Sequence, residues 1–130
     1  MAAKNQTLAN SILSAVLRNV AYTSPTTVYA GLYTVTPTPT SSGTEDADAN
    51  YARIAVTFSA PAAGTTSNSG TLAFYGAGRA AGSATIVAVA ISDALTLGNQ
   101  LYFGLLTVAK TVATADTLQF AATALAVSES

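Results

Sequence analysis

Between Tyr51 and Tyr75 the chain reads YARIAVTFSAPAAGTTSNSGTLAFY. Apolar and polar residues alternate on both sides of a loop rich in Pro, Gly, Ser, Thr and Asn. This period of two predicts two half-buried strands, each with one face on a core and the other toward solvent or a partner. The predicted core positions are Ala52, Ile54, Val56, Phe58, Leu72 and Phe74.

The opposite faces of these strands carry the candidate partner contacts. Tyr51, Arg53 and Tyr75 lie there, and aromatic and arginine residues are enriched at the centres of protein interfaces. Arg79, in the glycine-rich turn Gly76–Gly82, is a further candidate, although the pattern favours an exposed, solvated arginine on a flexible turn. It stays open whether the two strands pair directly, because the loop is long for a hairpin and the chain could instead cross between two sheets.

Composition excludes several kinds of chemistry. The 130 residues include no Cys, His or Trp, so there is no disulfide, no thiolate metal site and no histidine base. A net charge of −1 without a basic run argues against nucleic-acid binding. Only 8% of the residues are charged, against about 25% in ordinary soluble domains. This predicts a surface largely covered by partners, although an alanine-rich sequence alone would also lower the charge.

The start of the chain predicts one helix over Asn5–Val20, with Asn5 as its N-cap. Apolar residues recur there at helical spacing, which favours a helix that packs on the sheet over one that projects onto a neighbour. The stripe consists of Leu8, Ile12, Leu13, Val16, Leu17 and Val20. The polar beginning of the sequence lacks a secretory pattern, so we expect synthesis in the cytosol.

The rest of the chain predicts strands. Thr26–Thr36 is apolar on both faces, as in a central strand. Short strand patterns with turn signals between them continue to Val127, which predicts a mainly β fold. We expect an antiparallel, jelly-roll-like β-sandwich of about seven or eight strands with one N-terminal helix. The length suits a single domain over 1–130, with the helix at about 5–20 and the sandwich at about 26–128.

The acidic residues form no catalytic pattern. Glu45, Asp46 and Asp48 lie in the polar stretch Pro37–Asn50, which we expect to be a solvated loop; its clustered carboxylates suit calcium, but their spacing does not complete an EF-hand. Asp93 and Asp116 stand near turns, where Asp side chains accept hydrogen bonds from neighbouring backbone. We therefore expect no enzyme, no cofactor and no metal site.

Several motifs follow one another in a characteristic order. A short helix is followed by SPTTVYAGLYTVTP at Ser24–Pro37, an acidic loop, YARIAVTFSA at Tyr51–Ala60, SNS at Ser67–Ser69, and a long segment from Gly98 to Val127. Their order resembles a family of small tailed-phage virion proteins commonly labelled tail-fibre proteins. One departure is GAGRAAGSA, where such relatives carry Trp-Gly before the strand at Ala84.

The resemblance implies a structural protein of a tailed-phage virion, made in the host cytoplasm. Low charge and the lack of a repetitive shaft favour a capsid decoration (cement) protein that stabilises the shell. A minor tail or tail-fibre structural protein is the alternative, and a carbohydrate-binding β-sandwich module is a third. The expected partners are the protein itself, as a homo-oligomer such as a trimer, and the major capsid protein or tail proteins, with no nucleic acid and no membrane.

Overall fold

The computed structural model describes residues 3–129; Met1, Ala2 and Ser130, which the predicted domain includes, lie outside the described residues. The described chain is mainly β and antiparallel with one helix, which confirms the predicted fold class, although it has ten strands where seven or eight were expected. The elements in chain order are β1 (Ala3–Lys4), α1 (Gln6–Leu17), β2 (Val28–Val35), β3 (Thr44–Glu45), β4 (Ile54–Val56), β5 (Thr65–Ser67), β6 (Leu72–Phe74), β7 (Ala84–Ser92), β8 (Gln100–Val112), β9 (Leu118–Phe120) and β10 (Ala126–Ser128).

Strand β2 lies at the centre of a six-stranded sheet, as its two apolar faces predict. It pairs with β7 along one edge and with β3 and β4 along the other, and β8 and β1 extend the sheet beyond β7. Ala30 and Leu32 are fully buried in the main core, whereas Tyr33 belongs to a smaller apolar cluster. A strand buried on both faces needs this near-continuous apolar sequence.

Two short ribbons, β5–β10 and β6–β9, supply the second layer of the sandwich. Their apolar side chains pack with those of the large sheet in a single buried cluster. The cluster includes Leu72, Phe74 and Leu125 from the ribbon side and Ala30, Leu32, Ile86, Val89 and Ile91 from the sheet. The main core therefore lies between the sheet and the ribbons.

The stretch Tyr51–Tyr75 crosses between these two layers; antiparallel bridges join Phe58 with Asn68 and Ala62 with Thr65, but β4 and β6 do not pair with each other. β4 pairs with β2, and β6 pairs with β9. Val56, Leu72 and Phe74 are buried as predicted, and Ile54 and Phe58 pack partly buried against the core. Ala52 is exposed, so its predicted core position is wrong; it precedes β4, where the strand geometry that would direct it inward is not yet established.

Helix α1 begins where the sequence predicts but contacts the sheet over only part of its length. The Asn5 side chain caps it by accepting a hydrogen bond of 2.8 Å from the Thr7 N–H. Leu8 is its only buried residue, and Leu13, Val16 and Leu17 are 56, 74 and 74% exposed. The favoured packing of this helix on the sheet is thus limited to its first turn, where Leu8 is buried, because at 3.6 residues per turn the members of the stripe occupy more than one face. At 12 residues, α1 is too short to cross a membrane, and it is the only helix among residues 3–129.

Candidate functional site

The four predicted contact residues meet in one polar cluster, which we call the tyrosine–arginine cluster. The structure brings them together with the acidic residues of the stretch before β4. The members are Glu45, Asp46, Asp48, Tyr51, Arg53, Tyr75 and Arg79. The Tyr51 and Tyr75 rings join its two halves, with centroids 5.8 Å apart.

The first half is built on the carboxylate of Glu45 in β3. Arg53 donates to it through Nε and Nη2, each at 2.9 Å, which makes a bidentate ion pair. The Tyr51 hydroxyl also donates to Glu45 and accepts from the Leu32 N–H at 2.9 Å. Such charge-assisted, bidentate contacts are the strong hydrogen bonds of proteins. They fix β3 and the start of β4 to the central strand β2.

Arg53 also fastens the turn between β7 and β8. Its Nη1 donates to the carbonyl oxygens of Ala94 at 2.8 Å and Leu97 at 2.9 Å. The hydrogen bonds to Glu45 raise the pKa of Arg53 above its ordinary value. One arginine thus connects three segments that are distant in sequence.

The second half is buried and is built on Asp46. Arg79 Nη1 donates to Asp46 Oδ2 at 2.6 Å, the Tyr75 hydroxyl donates to the same oxygen, and the Arg79 guanidinium lies 5.7 Å from the centre of the Tyr75 ring. Tyr75 is 2% exposed, and Arg79 and Asp46 are each 9% exposed. The expectation of a solvated Arg79 is therefore wrong. The Gly76–Gly82 turn folds back so that Arg79 contacts Asp46, whose buried carboxylate is its counter-charge.

The Tyr75 side chain also lies on a different side from the one that the sequence pattern predicts, because of its local backbone conformation. It follows the last residue of β6 with a positive φ of 57°, so the alternation of β6 does not continue through it. This left-handed conformation, uncommon for a non-glycine residue, directs the chain into the turn closed by the Gly78 N–H and the Tyr75 carbonyl at 2.7 Å. The side chain enters the interior, not the partner-facing surface that was predicted.

Asp48 closes the cluster by binding backbone. Its carboxylate accepts hydrogen bonds from the N–H groups of Ala80 at 2.9 Å, Asn50 at 3.0 Å and Ala81 at 3.2 Å. The Ala80 N–H is the main reason that the pKa of Asp48 is lowered. The prediction of a solvated loop is therefore wrong for the three acidic residues, whereas most other residues of Pro37–Asn50 are exposed. Among residues 3–129 no three acidic groups are placed to hold a metal ion together.

The hydrogen bonds and ion pairs of the cluster hold together segments that are distant in sequence. Burial raises the pKa values of the Tyr51 and Tyr75 hydroxyls, and each donates to a carboxylate. Contact with a partner through the four predicted residues stays a prediction. The structure leaves Tyr75 and Arg79 little surface for such a contact, and the Arg53 side chain is 10% exposed.

Two further features were not predicted from the sequence. Asn68, in the SNS motif, is completely buried and bonds the backbone of three other residues. A cleft of about 610 Å³ opens between α1, the segment 22–27 and the turn before β8, with Tyr22, Tyr29 and several hydroxyl side chains in its wall. Asn68 resembled an ordinary turn residue, and the cleft has no local sequence signal because it joins three separate segments.

The two isolated aspartates behave as predicted. Asp93 accepts from the Asn99 N–H at 2.7 Å, and Asp116 accepts from the Ala113 N–H at 2.9 Å. Each carboxylate therefore stabilises its own turn.

Comparison with known families agrees with the class suggested by the motifs, a fibre-type structural protein of a phage virion. The family model described as Podophage GP4 fiber I protein gp80 matches residues 3–128. The chain belongs to this family. No curated protein matches the chain.

Proposed function

We propose that the protein is a structural component of the phage tail that works through contacts with other virion proteins and not by catalysis. The observation that carries this proposal is the family match over residues 3–128, because the family description names a fibre protein. A tail position fits that description better than the capsid.

The surface chemistry supports a role in assembly. Lys4 pairs with Glu129, Arg53 with Glu45, and Arg79 with Asp46, so the few charges of the described residues are mostly neutralised within the fold. A surface with so little net charge offers weak electrostatic repulsion against neighbouring protein. The internal hydrogen bonds and ion pairs of the tyrosine–arginine cluster would keep such a small sandwich in one conformation while other virion proteins bind its surface.

Capsid decoration is the second candidate function. It is favoured by the sandwich itself, since residues 3–129 contain no repetitive shaft of the kind expected in a complete fibre. A decoration protein would be present in proportion to the capsomers, and shells without it would fail sooner under heat or osmotic shock.

Locating the protein in the virion tests the proposal. Antibodies against the purified protein, visualised with gold on intact particles, are expected to label the tail, and antibodies against the major capsid protein serve as the control. Densitometry of purified virions should give a copy number that matches tail proteins. Label spread over the head, with a copy number that follows the capsomers, would overturn the proposal in favour of decoration.

A carbohydrate-binding role receives some support from the tyrosines and hydroxyls of the 610 Å³ cleft. Aromatic and hydroxyl groups together suit a sugar ring. A glycan array probed with the purified protein separates this role from a purely structural one: binding that is lost in Tyr22→Ala would favour it, and silence would remove it.

A further inference from the structure

Helix α1 has a second apolar face that nothing in the described chain covers. Leu13, Val16 and Leu17 are 56, 74 and 74% exposed, and Val20, just beyond the helix, is 48% exposed. We call these four residues the outer stripe. Leu8, which is 6% exposed, and the half-buried Ile12 lie on the inner face of the same helix.

A helix that is apolar on both faces is characteristic of a helix buried on both sides. With about 100° between successive residues, the middle of the outer stripe lies well over a quarter turn from Leu8. The body of the protein therefore cannot cover both faces. The outer stripe therefore stays exposed to water unless a separate partner covers it.

The chemistry of the outer stripe fits another copy of the same chain. Identical copies bring identical charges, so a face that associates with itself must be nearly free of charge, and the helical residues Gln6–Leu17 include no charged side chain. Within α1, Ala9, Leu13 and Val16 follow one another at intervals of four and three residues. This is the spacing at which helices pack against like helices.

The size of the outer stripe indicates how strong this association is. Exposed aliphatic side chains of roughly 100 Å² each give a patch of about 400 Å². A standard interface buries about 800 Å² on each partner. The stripe alone is about half that size, so association in dilute solution should be weak and should increase with concentration.

We propose that the outer stripe is a self-association surface, on which α1 of one copy packs against α1 of another. This inference does not depend on whether the protein lies in the tail or on the capsid, because it concerns contacts between copies of one chain. A homo-oligomer follows from it, with α1 at the contact.

Sedimentation velocity over a wide range of protein concentration tests the proposal. Wild-type protein should shift from monomer to a larger species as its concentration rises. Leu17→Ser should lose that shift, because it makes the most exposed part of the stripe polar. Leu97→Ser is the matched control: Leu97 is 86% exposed in the turn before β8, and its substitution should leave the shift unchanged.

Cross-linking tests the geometry directly, since the chain has no native cysteine. Under mild oxidation Leu17→Cys should form disulfide-linked dimers severalfold faster than Leu97→Cys. Equal rates, or a wild-type monomer at every concentration, would overturn the proposal. It would also be overturned if a thiol-reactive probe at Leu17→Cys were excluded only after a different virion protein was added, because the stripe would then belong to that partner.

Discussion

At the scale of single residues, Asn68 stands out among the polar side chains outside the tyrosine–arginine cluster because it is buried and makes three hydrogen bonds. Its amide Nδ2 donates to the carbonyl oxygens of Gly70 at 2.7 Å and Ala121 at 3.0 Å. Its Oδ1 accepts from the Leu125 N–H at 2.8 Å. One buried side chain thus replaces missing backbone pairing between the two ribbons.

Replacing Asn68 with Ala should lower the free energy of unfolding by about 2–4 kcal/mol, because it removes three hydrogen bonds and leaves buried backbone groups unpaired. Urea unfolding followed by circular dichroism measures the loss. Asn10→Ala is the control, since Asn10 is exposed on α1 and its loss should change stability by less than about 0.5 kcal/mol. Equal midpoints for the two variants would contradict the role assigned to Asn68.

The buried pair of Asp46 and Arg79 gives a second prediction for individual residues. Arg79→Met should cost about 3 kcal/mol, since it leaves the Asp46 carboxylate buried with only the Tyr75 hydroxyl as its side-chain donor. The double variant Asp46→Leu, Arg79→Met should cost less than the sum of the two single variants.

Chemical denaturation of all four proteins in this cycle measures the coupling between Asp46 and Arg79. Arg18→Met, at the exposed end of α1, is the control for loss of an arginine and should be nearly neutral. Strictly additive single effects would mean that the two side chains do not act as a pair.

The sequence singles out Tyr51, Arg53, Tyr75 and Arg79 as partner contacts, and in the fold these side chains form hydrogen bonds within the chain. Their acidic partners could not be identified, since Asp46 is separated from Arg79 by 33 positions and local pattern carries no signal over that range. The positive φ of Tyr75 is equally invisible in a period-two pattern.

At the scale of elements, the strands β4 and β6 contribute very differently to the core. Phe74 in β6 is completely buried; its ring stacks with Tyr51 at 6.4 Å and meets Phe120 edge-on at 6.1 Å. Phe58, two residues beyond β4, is only partly buried against the same core. The alternating pattern gives both phenylalanines the same expected burial.

The two phenylalanines therefore make a matched pair for mutagenesis. Phe74→Ala should cost about 3–5 kcal/mol, whereas Phe58→Ala should cost clearly less, about 2 kcal/mol, because its side chain already contacts water and leaves a smaller cavity. Thermal and urea unfolding compare the two directly. A larger loss for Phe58→Ala would mean that the core is centred nearer to β4 than the structure shows.

The existence and type of most elements were predictable from the sequence, and their pairing was not. Val28–Val35 reads as a central strand because both of its faces are apolar, and the Asn5 cap fixes where α1 begins. The partner of β6 is β9, more than forty residues away, and no short-range pattern selects it over β4. The bulge between Ile86 and Ala88, which changes the side of β7 that faces the core, is likewise a tertiary effect.

For the whole molecule, the ionisable groups predict how stability depends on pH. On the acid side, Lys4 and Tyr102 lower the pKa of Glu129, and backbone N–H groups lower that of Asp48. A carboxylate whose pKa is lower in the folded state stabilises the fold above its ordinary pKa, and this contribution is lost as the pH falls through the folded value. Stability should therefore begin to fall below about pH 4, and Glu129→Gln should make that decline shallower.

In the alkaline range the pKa shifts of the tyrosines are upward, opposite to those of the carboxylates. Burial raises the pKa of Tyr102 to about 12, and it raises the pKa values of Tyr51 and Tyr75 as well. A group whose pKa is raised in the folded state contributes stability that is complete below its ordinary pKa, about 10 for tyrosine, and is lost as the pH rises through the folded value. Thermal unfolding should thus be nearly independent of pH in the neutral range, and the melting temperature should fall above about pH 10. Tyr102→Phe should weaken that fall, because one tyrosine no longer ionises on unfolding.

A near-UV absorbance titration of the folded protein should show Tyr51, Tyr75 and Tyr102 ionising late; complete ionisation of all six tyrosines near pH 10 in protein that is still folded would contradict their burial.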